Sequence, residues 1–354
     1  MDDQGVDNEI ETTNFRIDMI SSLFDQQIFN NHQKNPTKDD TNCSCSHPIF
    51  ISNVCTNCGF RNDYDGNEII STIPFSYIYP NLSLSLKEID RIRDLNLRRL
   101  ISRKKIHLIL DLDHTLLHQR PSYKLTPEDK QFLRHQKHGI NHNLVEGGSL
   151  FKNSNGWVKL RPYLRNFLEE ASTMFDMTMY TLGCRTCSWE IAKTVDPTGA
   201  YFENWRLITR DDYDGKFDKH KKTLDLVLEH EKVVVILDDN EGVWEDYKGN
   251  YVKVIPYNFF SYFSPEDKEH DASPRKHSWS QLGGDESEEN GVLVRVLEKL
   301  RLIHTWFYDE DGEFGGDFCD RDVRDVIQRV ELFQNGGKKG QRYKKKKIGK
   351  IVRG

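Results

Sequence analysis

"IHLILDLDHTLLH", residues 106–118, decides how the rest of the chain is read. Five mostly apolar residues run into two aspartates one residue apart, then a threonine and more leucine. Carboxylates this close repel, and burying them costs several kcal/mol unless something compensates. The stretch is therefore a solvated loop, or a strand that delivers acids to a cation. Two more runs bear on the choice. "DMTMY" (176–180) ends at Thr181, and "KVVVIL" (232–237) ends at Asp238 and Asp239. Apolar strands separated by helices predict an α/β fold with a parallel sheet covered on both faces. In such sheets ligands bind outside the carboxyl ends of the strands. Three strand ends would then bring polar groups to one rim, which chance seldom provides.

The chemistry follows from the residue types. Asp111 and Asp113, two apart on a strand, would face one pocket unless the chain turns after Asp111. Clustered carboxylates need a cation, and all-oxygen ligands suit Mg²⁺ with retained waters and a phosphate. One carboxylate can attack phosphorus and form an aspartyl-phosphate. A second can protonate the leaving oxygen and later take a proton from water. Thr181 can hydrogen-bond a phosphoryl oxygen. A lysine from "KFDKHKKTLDLVL" can balance the added charge, with Lys219, Lys221 and Lys222 as candidates.

The motif "DLDHTLLH" resembles the DxDxT signature of the haloacid dehalogenase superfamily. Its form is that of RNA polymerase II C-terminal-domain phosphatases of the TFIIF-associating type. "WVKLRP", "MYTLG", "DPTGAYFENWRLITRDD" and "ILDDNEGVW" follow in that family's order, and "DRDVRDVI" resembles its plant-like members. The resemblance covers residues 100–264 and implies a haloacid-dehalogenase-like, Rossmannoid fold. It implies a Mg²⁺-dependent protein serine phosphatase of the nucleus, acting on the phosphorylated heptad tail of RNA polymerase II. General transcription factors are further implied partners; nucleic acid and membrane are not. By the same resemblance Asp111 is the nucleophile and Asp113 the general acid/base. Thr181 contacts phosphate, and Lys222 stabilises its charge. Asp239 holds Mg²⁺ with Asp111 and the backbone carbonyl of Asp113, beside Asp238. The competing readings are an idle copy of the fold used for binding, and a small-metabolite phosphatase. Both DxD aspartates are present, against the first; the short polar insertion at 119–156 leaves an open groove, against the second.

Composition bounds the rest. Apolar residues make up 36% and charged residues 30% of 354, workable for a core diluted by polar flanks. The net charge is −6, so no global basic field argues for nucleic acid. Residues 338–354 carry nine Lys or Arg and no acid, which leaves −15 on the remainder. Such a tail suits a nuclear import signal or a contact arm. No apolar run approaches the roughly 18–20 residues that span a bilayer, and the acidic start does not read as a secretory signal.

Seven cysteines, four of them near the start, do not form the even framework of a small secreted protein. In "CSCSHPIFISNVCTNCG", Cys45, His47, Cys55 and Cys58 are a candidate Cys₃His zinc set, with Cys43 as a substitute. Cys184 and Cys187 form a CxxC that suits packing better than redox work. His114 and His118 read as structural. Arg161 is open between the phosphate and a salt bridge.

The expected organisation is a disordered 1–42, a zinc knuckle at 43–60, a linker at 61–85 and the catalytic domain at 86–264. A linker at 265–290, a helical extension at 291–334 and a disordered basic tail at 335–354 follow. A helix is expected to grow out of 82–105, capped by Ser83 or Ser85. Another is expected at 219–231.

Overall fold

A computed structural model describes residues 44–62, 69–138, 149–202, 206–213, 215, 217–261, 278–309 and 317–335. The segment expected to be disordered, 1–42, lies outside the described residues, as do Cys43 and the basic 336–354.

Four short strands come first among the described residues: β1 (Ile49–Ile51), β2 (Val54–Cys55), β3 (Thr72–Pro74) and β4 (Leu82–Ser85). They form an antiparallel sheet in the order β2-β1-β4-β3. Residues 72–85 are thus partly sheet where a linker is expected. The signal is short: "LSLS" turns Leu82 and Leu84 into a core with Ile49, Phe75 and Ile92, and its backbone pairs on both sides. Helix α1 (Leu86–Ser102) starts behind it, with Ser85 at the N-cap position but making no side-chain cap bond.

The main sheet is parallel, in the order β10-β9-β5-β11-β12. Its strands are β5 (Ile106–Leu110), β9 (Phe175–Tyr180), β10 (Leu207–Ile208), β11 (Val234–Asp238) and β12 (Tyr251–Lys253). Alternate residues of β5 face opposite sides, as strand geometry requires. Ile106, Leu108 and Leu110 meet one layer and Ile109 the other. The first layer is helical: α1 with α3 (Leu164–Met174), α4 (Arg185–Val195), α6 (Val292–Phe307) and α7 (Val323–Gln334). Helices α6 and α7 therefore belong to the same core as β5.

The second layer consists of turns and 3₁₀ segments around Tyr213, Leu224, Leu226 and Trp244. The helix expected at 219–231 is absent; Leu224–Leu226 makes a 3₁₀ turn, and a second one, Glu231–Val233, begins at its end. Its carbonyls are bonded from outside instead. Arg93 donates to Leu224 and Val227, Asn96 to Leu228 and Tyr77 to Leu226. With those acceptors engaged, a helical ladder has nothing to add.

The insertion after β5 is more ordered than its polar sequence suggests. Strands β6 (Leu117–Pro121), β7 (Leu150–Lys152) and β8 (Gly156–Leu160) form a three-stranded antiparallel sheet, order β6-β8-β7. Helix α2 (Pro127–His138) packs beside it through Leu125, Leu133, Phe259 and Phe260. The described end of the 265–290 segment is anchored too. Trp279–Leu282 forms a one-turn helix, α5, with a capping box at Ser278, and Asp285 and Glu286 pair with Lys159 and Arg161. No helix among the described residues is long and apolar enough to cross a membrane.

Candidate active site

Strands β5 and β11 are neighbours, and both run out of apolar residues at the same edge. Asp111 follows β5 and its N–H still bonds Leu237 of β11 at 3.0 Å. Asp238 closes β11, and Asp239 follows it. Carboxylate oxygens of Asp111, Asp238 and Asp239 lie within 4.8 Å of one another. Lys222 enters from the second layer. Its ammonium donates to Asp111 Oδ1 at 2.6 Å and to Asp238 Oδ2 at 2.7 Å. It is 5% exposed, with the Tyr180 and Trp244 rings at 5.6 and 5.7 Å. Lys221, by contrast, pairs with Glu245 at the surface, and Lys219 is exposed.

Burial pushes the Asp111 carboxyl well above its ordinary range; the Lys222 ammonium works against this and the Asp238 charge adds to it. Burial also raises Asp239, helped by Asp238. For Lys222 burial opposes the charge, but Asp111 and Asp238 outweigh it and hold the ammonium protonated beyond its ordinary range. Three carboxyls gathered around one ammonium make an all-oxygen cluster of the kind that fits a hard divalent ion.

The two members of the terminal pair are held differently. Asp238 accepts from Lys222, from Trp244 Nε1 at 2.8 Å and from the Asn240 N–H at 2.8 Å. Asp239 accepts one bond, from Thr115 Oγ1 at 3.3 Å, while its own N–H donates back to that hydroxyl at 3.1 Å.

Asp113 is not in the cluster. The chain turns after β5: Thr115, Leu116 and Leu117 all return their N–H groups to the Leu112 carbonyl, and His114 takes a left-handed φ of 63°. This turn carries the Asp113 carboxylate to Gln119, whose Nε2 donates to Oδ1 at 2.7 Å. Burial raises the Asp113 carboxyl, with His114 and the Gln119 bond opposing. Thr181 sits at the end of β9, 1% exposed, its hydroxyl accepting from the Gly183 N–H at 3.0 Å.

Arg161 is engaged in an ion pair and backbone contacts. Its guanidinium is spent on Glu286 (2.9 and 2.8 Å) and on the carbonyls of Thr115 and Ile255. His118 is buried, its Nδ1 accepting from the Phe259 and Phe260 N–H groups. His114 bonds the Tyr257 carbonyl. The CxxC caps α4: Cys184 is its N-cap, and bonding to Cys184 raises the Cys187 thiol to about 11. Such a thiol is not a thiolate at neutral pH, so the redox reading gains nothing. Gln119, Asn240, Trp244 and Tyr251 are supports that sequence reasoning misses. The run "DDNEGVW" contains two of them, but no spacing tells which atoms they reach.

Away from this edge, Cys45, His47, Cys55 and Cys58 converge at the β1–β2 hairpin, with ligand atoms within 4.8 Å of one another. Cys45 Sγ and Cys55 Sγ are 3.9 Å apart, and Cys58 Sγ and His47 Nδ1 3.3 Å. Gly59 has a φ of 77°, which lets its N–H turn back to the Cys55 carbonyl.

Comparison with known proteins agrees with this architecture. The family described as NLI interacting factor-like phosphatase matches residues 106–273. RNA polymerase II C-terminal domain phosphatase-like 4 of Arabidopsis thaliana is 37% identical over 316 residues, covering 88% of this chain and 67% of that protein. A phosphatase of the RNA polymerase II C-terminal domain from Schizosaccharomyces pombe is 32% identical over 225 residues, covering 61% of this chain and 30% of that protein. A solved structure of Fcp1, described as an essential RNA polymerase II CTD phosphatase, shares the fold with a TM-score of 0.50 at 24% identity. That match covers 67% of this chain and 73% of that one. The edge where three acids and a lysine meet thus lies in the stretch shared with these enzymes, and the chain belongs to the NLI interacting factor-like phosphatase family and is a protein phosphatase.

Proposed function

We propose that the chain removes phosphate from phosphoserine in the C-terminal tail of RNA polymerase II, through an aspartyl-phosphate on Asp111. The single observation that carries this is the Lys222 ammonium wedged between Asp111 and Asp238, with Asp239 in the same cluster. A solvated pair of loop acids would have no such buried counter-charge. Asp111, Asp239 and the backbone carbonyl of Asp113 would hold Mg²⁺, with Asp238 beside them. When bound, the ion neutralises the acids and the phosphoryl oxygens that join them.

The protein's own residues then divide the work. Lys222 fixes Asp111 by Oδ1, which leaves Oδ2 to attack phosphorus. The bond from phosphorus to the serine oxygen breaks, and Asp113 supplies the proton that oxygen takes up. Asp113 next removes a proton from water, whose oxygen attacks the phosphorus. The Asp111–phosphate bond breaks, inorganic phosphate leaves and both carboxyls return to their starting states. Thr181 donates its hydroxyl to a phosphoryl oxygen. The names of the relatives support the polymerase tail as substrate, and with it a nuclear location. Phosphorylated heptad peptides, offered with Mg²⁺ or with EDTA, test the reading. Turnover should need Mg²⁺ and vanish in Asp111→Asn. Near-normal turnover in that variant would remove Asp111 as nucleophile, and none in the unaltered protein would favour an idle binding copy. Deleting 338–354 should lower nuclear accumulation of a tagged protein and leave peptide turnover within about twofold.

We infer further that Cys45, His47, Cys55 and Cys58 hold structural zinc. A tetrahedral site with Zn–S bonds of about 2.3 Å has S–S edges of roughly 3.8 Å, close to the 3.9 Å between Cys45 and Cys55. Elemental analysis of reduced, folded protein should find one zinc per chain; its absence would overturn this reading.

A further inference from the structure

Asp113 needs an orientation as well as a proton, and nothing in the acidic cluster supplies it. Its carboxylate meets Gln119 at 2.7 Å. The topology makes the meeting close to obligatory. Asp113 bridges Leu117, and Gln119 lies two residues further along β6, on the same face as Leu117. Strand β6 is held by β8, with Gln119 opposite Val158, so the amide is delivered from a fixed sheet.

The amide's orientation is forced. A carboxylate oxygen offers only lone pairs, so the NH₂ end of Gln119 must face it. The cost shows at the other end: Gln119 Oε1 is buried with no hydrogen-bond partner among the described residues. A residue kept only for packing would carry an apolar side chain here and avoid that cost. The bond also suits both states of an acid/base. Donation to Oδ1 persists whether Oδ2 carries a proton or not, whereas a carboxylate at 119 would repel one state and a cation would suppress the other.

We propose that Gln119 is the positioning residue of the acid/base. It locks the Asp113 carboxyl by Oδ1 and so presents Oδ2 to the serine leaving group. The inference rests on the assignment of Asp113 proposed above. It predicts a loss that depends on how much help the leaving group needs.

The experiment compares Gln119→Leu and Gln119→Met, near-isosteres without a donor, on two substrates: a phosphoserine heptad peptide and 4-nitrophenyl phosphate. Both are read as kcat/KM, which reports bond breaking to the leaving group and not the later hydrolysis. The peptide value should fall about tenfold to a hundredfold, short of the roughly 10² to 10⁴ typical of losing an acid outright. Peptide KM should change by less than about twofold. The aryl value should stay within about threefold, because nitrophenolate leaves without protonation. Asp113→Asn is measured beside them, and the double variant should be no slower than Asp113→Asn within about twofold. Equal losses on both substrates, or none, would overturn the inference, as would failure of both variants to fold. If Asp113→Asn discriminates between substrates and the Gln119 variants do not, only the positioning role falls. If Asp113→Asn itself does not discriminate, the acid assignment falls and takes this inference with it.

Discussion

Replacing Lys222 by Met tests the energetic logic of the site. The ammonium is the counter-charge that two buried acids share, at 2.6 and 2.7 Å. Removing one partner of a buried charge pair typically costs about 3–5 kcal/mol. A ceiling applies, however, since a stranded carboxyl can take up a proton. Neutralising an acid whose ordinary value is 3.8 costs about 1.36 kcal/mol per pH unit, hence roughly 4 kcal/mol at pH 7 and about 1.6 kcal/mol at pH 5. The sign is set by where the proton sits. The variant's folded state keeps a proton that the unfolded chain releases, so its deficit grows as pH rises and shrinks as pH falls toward 4. In melting experiments about 4 kcal/mol corresponds to roughly 8–16 °C for a domain of this size. Thermal melts at pH 5 and pH 7, without divalent ion, read both numbers. Adding Asp238→Asn to Lys222→Met should restore about half of the loss, because one stranded charge goes with it. A deficit below about 1 kcal/mol at pH 7, a deficit unchanged at pH 5, or a double variant weaker than the single would refute the reasoning.

Gly183→Ala should slow peptide turnover about tenfold while the melting temperature moves by less than about 3 °C. The new Cβ would stand 3.0 Å from Ser188 Oγ and 3.3 Å from Thr181 Oγ1, and Ser188→Ala in the same chain should recover part of the rate. His118→Asn keeps an acceptor for the Phe259 and Phe260 N–H groups but removes a titrating ring. Burial holds His118 well below its ordinary value, with His114 and Arg120 adding to this. Its stabilising effect is therefore complete above pH 6.5 and drains by up to about 1.4 kcal/mol per unit below it. Urea melts should show the variant weaker at pH 7.5 and the gap closing at pH 5.5; a constant gap would mean that His118 is not held neutral.

Legibility in the sequence follows the range of the interactions. Strands β5, β9 and β11 are readable because continuous apolar runs have few other uses, and their polar ends point to one edge once the sheet is parallel. Helices α6 and α7 show a 3.6-residue period and appear as expected. The failures are places where a distant side chain replaces a local bond. The 219–231 segment has helical composition, but Arg93 and Asn96, more than 130 residues away in sequence, take its carbonyls. "LSLS" is too short to outweigh the helix beside it until β1 and β3 flank it. The insertion looks polar because its apolar residues are few, yet Leu125, Leu133 and Leu150 meet Tyr257, Phe259 and Phe260 from the far end of the domain. In the site the acids, Thr181 and Lys222 are suggested by motif and spacing. The turn that separates Asp113 from Asp111, and the amide that receives it, are not.

The four acids differ in their donors, and the donors sort their work. Asp238 is bonded by a buried ammonium, an indole N–H and a backbone N–H, while Tyr251 holds its carbonyl at 2.7 Å. A carboxylate so fully bonded is a poor nucleophile and a poor proton carrier; it is suited to fixing Lys222. Asp111 takes a donor at Oδ1 only, so Lys222 orients it without blanketing it. Asp239 has one hydroxyl contact, which leaves room for a cation. Asp113 has one neutral amide donor, the kind of partner that tolerates a proton coming and going. Had these donors been exchanged, with the ammonium on Asp113 and the amide on Asp111, the proposed proton carrier would be locked as an anion and the proposed nucleophile left without its counter-charge. The order of the acids along the chain therefore matters less than the order of their partners. Those partners come from β6, from Lys222 in the second layer and from the Asn240–Trp244 turn, none of which the DxD motif itself contains.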